Sequence, residues 1–116
     1  MPYINSTVTV AVSEDAKENI KSRLGEVISE IPGKSESWLM VGFNENQTLY
    51  FRGERLEKAA FIEVKVYGQV ERKYKERVAP MIFDVFEEEL GIPRSCAYLT
   101  ITEVEDWGWN GELFEK

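Results

Sequence analysis

The feature that most constrains this chain is an internal repeat. Moving Ala16, Ile20, Leu24, Val27 and Ile28 forward by 58 positions lands on Tyr74, Val78, Ile82, Val85 and Phe86. Both sets recur at helical spacing, so each describes the apolar stripe of an amphipathic helix. A shift of 60 carries Trp38-Leu39-Met40-Val41 onto Tyr98-Leu99-Thr100-Ile101, two stretches that read as strands. Apolar matches in the same order across both stretches imply two strand–helix–strand units in tandem. A parallel strand pair needs a crossover of about a dozen residues or more, which each helix supplies, and such crossovers are right-handed. The expected architecture is α+β with sandwich-like α/β layering: one four-stranded mixed sheet with both helices on one face. The units cover about 1–52 and 58–104, with a tail at 105–116, in a single domain 1–116.

The first unit opens on MPYINSTVTV. Ile4, Ser6, Val8 and Val10 fall on one side of an extended chain, and Tyr3, Asn5, Thr7 and Thr9 on the other. A strand that begins at once holds Pro2 in a fixed place. Ser13 is a helix cap, with Glu14 and Asp15 at the positive end of the dipole. Pro32-Gly33 ends that helix. Trp38 to Phe43 reads as a strand, Asn44 to Gln47 as a turn, and Thr48 to Phe51 as a short strand. Lys58 to Tyr67 is a longer strand ending at Gly68. The second helical pattern runs from Val70 to Leu90, and Pro80 inside it should kink or split the helix. Ala97 to Val104 is the last long strand.

Two surfaces are then left over. One sheet face has no helix on it, and a part-apolar uncovered face predicts burial against another copy of the chain. The tail WGWNGELF holds Trp107, Trp109 and Phe114 and should dock on its own body or on a neighbour.

Charge and composition exclude several classes of function. The net charge of −7 disfavours a nucleic-acid binder, which needs a cationic face. The single cysteine, Cys96, forbids an internal disulfide, and the lack of histidine argues against a metal site of nitrogen and sulfur ligands. No apolar run approaches the ~20 residues that span a bilayer. The start lacks signal-peptide character, so a cytoplasmic location is the default expectation, with leaderless secretion left open. Gly33-Lys34-Ser35 imitates the end of a phosphate loop, but Ile28 stands where that motif needs glycine and the helix precedes it. There is no hydrolase elbow and no glycine-rich dinucleotide loop.

With histidine absent, the amine of Pro2, freed if Met1 is excised, is a candidate base. A chain α-amine titrates near 8, far below lysine, and burial or a nearby cation lowers it further. A neutral amine near pH 7 is a competent general base. Lys34 has two readings. It complements the helix dipole as a solvated charge, or it binds an anionic substrate and depresses the Pro2 amine. Tyr67, Tyr98 and Trp109 likewise read as packing aromatics or as ligand contacts.

Taken together, the opening MPYI, Gly33-Lys34 after the first helix, the Tyr67-Gly68 strand end, Tyr98-Leu99-Thr100 and the ending Gly108-Trp109-Asn110 with Phe114 resemble the macrophage migration inhibitory factor family of the tautomerase superfamily. The resemblance covers nearly the whole chain. It implies a homotrimer whose sheets enclose a channel, with three active sites at subunit boundaries. It implies a keto–enol tautomerase acting on α-keto acids such as phenylpyruvate, with Pro2 as general base and no cofactor. Lys34 matches the lysine that holds the substrate carboxylate, and Tyr67 falls where the family uses a backbone N–H for the same group. Tyr98 matches a tyrosine reaching in from the adjacent subunit. Two departures bear on substrate choice. Thr100 stands where mammalian members carry asparagine, and Trp107 replaces a small residue at the rim. Lys58-Ala59-Ala60-Phe61 replaces the Cys-x-x-Cys of the mammalian cytokine, so no thiol–disulfide activity carries over. The alternatives are a cytokine-like binding protein with a vestigial site, or a related proline-based hydratase or dehalogenase.

Overall fold

The computed structural model describes residues 1–115. Strand β1 (Pro2–Val8) leads to helix α1 (Glu14–Ile28) and strand β2 (Met40–Asn44). The short strands β3 (Tyr50–Phe51) and β4 (Glu54–Arg55) follow. Then come β5 (Ala60–Tyr67), helix α2 (Arg72–Leu90) and β6 (Ala97–Val104). A terminal pair, β7 (Gly108–Trp109) and β8 (Glu112–Leu113), closes the chain. The four long strands form one sheet in the order β2-β1-β5-β6. β1 runs parallel to β2 and β5 parallel to β6, while β1 and β5 are antiparallel. Two parallel units are thus joined through their first strands, giving the mixed α+β sheet that the repeat predicts.

Alternation decides which face is covered. Ile4, Ser6 and Val8 of β1 are buried, as are Ala60, Ile62, Val64 and Val66 of β5. Ile20, Leu24 and Ile28 from α1 and Val78, Ile82 and Phe86 from α2 join them in one core, which places both helices on the same face. Ser6 is the exception, because its buried hydroxyl has no hydrogen-bond partner among the described residues.

The repeat is tighter than the apolar pattern suggests. Ile4 lies opposite Val41, and Ile62 lies opposite Leu99. The second strands are therefore related by the same 58 positions as the helices, not by 60. The slip of two residues was silent in the pattern because it preserves the faces. Polar contacts repeat at 58 as well. The Val12 N–H donates to Glu45 at 3.1 Å, and Lys17 Nζ lies 2.9 Å from the same carboxylate. In the second unit the Val70 N–H donates to Glu103 at 2.7 Å, and Lys75 Nζ lies at 3.1 Å. Each carboxylate ties the loop before a helix to the unit's second strand.

Other expectations change. Trp38 is not in a strand: Glu36–Trp38 is a single 3-10 turn, and the strand begins at Met40. The Trp38 N–H donates to the Ser35 carbonyl and the Leu39 N–H to that of Glu36, so local turn bonds win over the ladder. Pro80 does not split α2, which runs unbroken from Arg72 to Leu90. Pro80 is exposed, on the side of the helix where the carbonyl it leaves unbonded can be hydrated. The sequence reading also missed two hairpins, β3–β4 and β7–β8. Their turns, Arg52-Gly53 and Asn110-Gly111, have positive φ at both residues, as the hairpin-forming type I′ turn requires. The helix-free face is part-apolar, as expected, with its polar residues concentrated in the middle. Asn5, Thr7, Glu63, Lys65, Thr100 and Thr102 occupy its middle, and aromatic residues stand only towards its ends.

Candidate active site

Pro2 is the first residue of β1, the one strand position where a missing N–H costs the ladder nothing. It lies opposite Val66 and is buried. Directly before it, the Met1 carbonyl accepts a hydrogen bond from the Tyr67 N–H at 3.0 Å. Lys34 reaches the same residue from the loop after α1. After α1, Gly33 takes the left-handed conformation at φ +80° and turns the chain. The Lys34 ammonium then donates to the Tyr67 carbonyl at 2.9 Å. The Tyr67 peptide units therefore connect three parts of the chain: the start of β1, the loop after α1 and the end of β5.

Electrostatics at this junction run in one direction. Burial lowers the α-amine pKa of the Met1-bearing chain, and the positive charge of Lys34 lowers it further. Burial also lowers the pKa of Lys34 itself. Low local polarity and a neighbouring cation favour a neutral amine here.

The walls are aromatic. Met1, Tyr3, Trp38, Lys65, Trp107 and Trp109 line a broad open cleft at this end of the sheet. Trp38 and Trp109 meet edge to face with ring centroids 5.2 Å apart. Phe114 packs against the Tyr67 ring at 5.1 Å, and its N–H donates to the Trp107 carbonyl at 2.9 Å. The tail thus docks on its own body, as expected. Even so, Trp109 remains 56% exposed and Leu113 68%. Trp38 was missed as a wall residue because it was assigned to a strand.

Pro2, Lys34, Tyr67, Trp107, Trp109 and Phe114 gather at one end of the molecule, while Tyr98 and Thr100 do not. Tyr98 lies opposite Phe61, five residues along β5 from the partner of Pro2. At about 3.3 Å per residue, that puts it about 17 Å further along the sheet. Thr100 lies opposite Glu63, on the strand beyond β5. At its own end, Tyr98 packs edge to face on Phe51 at 5.4 Å. A second pocket there is lined by Leu49, Phe51, Leu56, Phe61, Cys96 and Tyr98 among others, with no charged side chain. It offers no cation to hold an anionic substrate.

Comparison with known proteins gives the family. The family model for macrophage migration inhibitory factor (MIF) matches residues 1–115. The chain belongs to the MIF family. A MIF homolog of Trichinella spiralis is 28% identical over 116 residues, spanning 98% of this chain and 100% of that one. The crystal structure of Leishmania major MIF2 matches with a TM-score of 0.91 at 26% identity, over 98% of this chain and 97% of that one. The MIF structure from Trichinella spiralis matches at 0.82 and 26%, over 97% and 99%. MIF-family membership places the chain in the tautomerase superfamily, whose fold suggests isomerase activity.

Proposed function

We propose that this protein is a keto–enol tautomerase for aryl α-keto acids of the phenylpyruvate type, with Pro2 as general base once Met1 is removed. The observation that carries this reading is the junction at Tyr67, where a backbone N–H and the Lys34 ammonium converge beside the residue 1–2 peptide. An N–H donor and a cation side by side suit a carboxylate. The amine next to them then stands beside the carbon that follows the keto group. Taking a proton from that carbon and returning one to the keto oxygen requires a base that is neutral in the resting state. Burial and Lys34 both favour that state. Trp38, Trp107 and Trp109 supply an apolar wall for an aryl ring.

Tyr98 and Thr100 enter this reading through a neighbouring copy. They lie too far from Pro2 to act on the same site within one chain, so the proposed assembly is a homotrimer that places them at an adjacent site. Met40, Tyr50 and Tyr98, all largely exposed in the single chain, provide surface for that contact. Light scattering should give a mass about three times that of the 13.4 kDa chain.

The deciding experiment measures phenylpyruvate tautomerisation on two samples, one starting at Pro2 and one retaining Met1, each verified by intact mass. In the Met1-bearing sample the Pro2 nitrogen is an amide without a usable lone pair. It should lose roughly 10²–10⁴ of the rate, the range that a positioned general base contributes. Equal rates would remove Pro2 as the base.

A further inference from the structure

The Met1–Tyr67 hydrogen bond is a rung of the sheet, and the repeat contains its counterpart. Fifty-eight positions after Met1 stands Ala59, and 58 before Tyr67 stands Thr9. The Thr9 N–H donates to the Ala59 carbonyl at 3.2 Å, the same rung at the other end of the β1–β5 pair. Thr9 Oγ1 also accepts the Ala59 N–H at 2.9 Å. Ala59 is inside the chain, so that rung is permanent. The Met1 rung hangs on a single peptide bond at the chain's first residue.

We propose that Met1 is a built-in occupant of the anion site, so that its excision opens a carboxylate-binding pocket as well as freeing the Pro2 amine. This rests on the reading of Lys34 and the Tyr67 N–H as carboxylate donors. The Met1 carbonyl oxygen sits on the Tyr67 N–H, where that reading places a substrate oxygen. Lys34 donates to a neutral carbonyl, and no carboxylate among the described residues lies within salt-bridge distance of it. A methionine-cleaving peptidase, with water as co-reactant, hydrolyses the Met1–Pro2 amide. The carbonyl departs as the carboxylate of free methionine, and Pro2 keeps a secondary amine. The Tyr67 N–H then has lost its acceptor, and an incoming carboxylate oxygen replaces it. The untrimmed chain is closed at two steps, binding and proton transfer, by one residue.

The test uses the full-length chain with and without Met1 and 3-phenylpropionate as probe, an aryl carboxylate with no keto group to tautomerise. Amide hydrogen exchange reads the two rungs directly. Tyr67 should exchange about tenfold faster or more in the trimmed chain, because its hydrogen bond is gone. Thr9 should exchange alike in both forms and serves as the internal control. Saturating 3-phenylpropionate should restore Tyr67 protection in the trimmed chain only. Its affinity should be about tenfold weaker or more for the Met1-bearing chain, and this gap should persist near pH 9.5, where the prolyl amine is largely neutral. Equal Tyr67 exchange in the two forms, or faster exchange that the probe does not reverse, overturns the proposal. Turnover of phenylpyruvate without any binding difference also overturns it while leaving Pro2 as base. A binding difference without turnover upholds the occupancy and removes the tautomerase reading instead.

Discussion

The two βαβ units share a scaffold and differ at their ends. Each begins with a strand whose buried face is apolar, and each ties its helix-entering loop down with a Glu–Lys pair. Each turns at a left-handed glycine after its helix: Gly91, the cap of α2, at φ +68°, and Gly33, beyond the Ser29 cap of α1, at φ +80°. The next residue divides them. In the first unit it is Lys34, which turns to the Tyr67 carbonyl. In the second it is Ile92, 1% exposed and part of the core. The candidate site is thus not an addition to the fold. It arises where one end of a duplicated frame combines a chain start with a lysine, while the matching end is closed by an apolar side chain.

That division predicts opposite consequences for the same truncation. Ile92→Ala should cost about 2–5 kcal/mol of stability, the range for emptying a fully buried aliphatic site. It should leave the KM for phenylpyruvate near the parent value. Lys34→Ala should cost at most ~3 kcal/mol, the upper end for a hydrogen bond made by a charged group, and less where solvent already reaches the part-buried ammonium. Its KM should rise about tenfold to a hundredfold, the equivalent of losing a charged hydrogen bond to substrate. Burial and then Lys34 lower the pKa of the Met1 amine at this junction, and the same cation should act alike on a freed Pro2 amine, so its removal should move the acid limb of the pH–rate profile to higher pH. Lys34→Arg should retain more activity than the alanine variant. Urea denaturation and steady-state kinetics check both. A Lys34→Ala protein as unstable as Ile92→Ala, or one with unchanged KM, would erase the distinction.

How much of this was legible in the sequence follows the same line between periodic and local information. The apolar stripes of α1 and α2 and the alternation of β1 and β5 were readable because burial selects side chains at fixed periods. Pro2 and Lys34 were readable as chemistry because few other groups in a histidine-free chain serve as a base or anion site. Their convergence on the Tyr67 peptide was not, because backbone hydrogen bonds leave no mark on residue type. Trp38 was misassigned because one turn of 3-10 helix is shorter than any detectable period. The tail hairpin did carry a signal, Asn110-Gly111, the dipeptide most favoured in two-residue hairpin turns. The β3–β4 hairpin turns on Arg52-Gly53, where only the glycine hints at it. The polar half of the repeat went unseen because charged matches at long separation carry no periodicity of their own.

Those polar matches allow a finer test of equivalence. The Glu45 carboxyl titrates below its usual range, first through Lys17 and then through the Val12 N–H. In Glu103 the order is reversed, with the Val70 N–H first and Lys75 next. A carboxyl whose folded pKa is depressed contributes stability that is complete above the unfolded value near 4.5 and is lost as pH falls through the folded value. The urea midpoint should therefore decline between about pH 5 and about pH 3. Glu45→Gln and Glu103→Gln should each make that decline shallower, and the double variant should be shallowest. Flattening in only one of the two would mean that the repeat is geometric without being energetic.

The smallest expected effect concerns a strand position at which the cores of the two units differ in polarity. Ser6 in β1 corresponds at 58 positions to Val64 in β5, and both are 1% exposed. Ser6 lies between Phe43 on one neighbouring strand and Ile62 on the other, with no partner for its hydroxyl among the described residues. A buried hydroxyl without a hydrogen bond has lost water and gained nothing in return. Ser6→Ala removes the oxygen and keeps the rest of the shape, so it should be neutral or stabilise by up to ~1 kcal/mol, raising Tm by a few degrees. Ser6→Val would copy the second unit's residue but adds volume to a close-packed site, and overpacking costs about 1–3 kcal/mol. Calorimetric Tm values for the two variants separate polarity from volume. If Ser6→Ala lowers stability, the hydroxyl has a partner such as a buried water. If Ser6→Val matches the parent, the first unit's core already holds room for the second unit's side chain, and the difference between the halves at this position is one of chemistry alone.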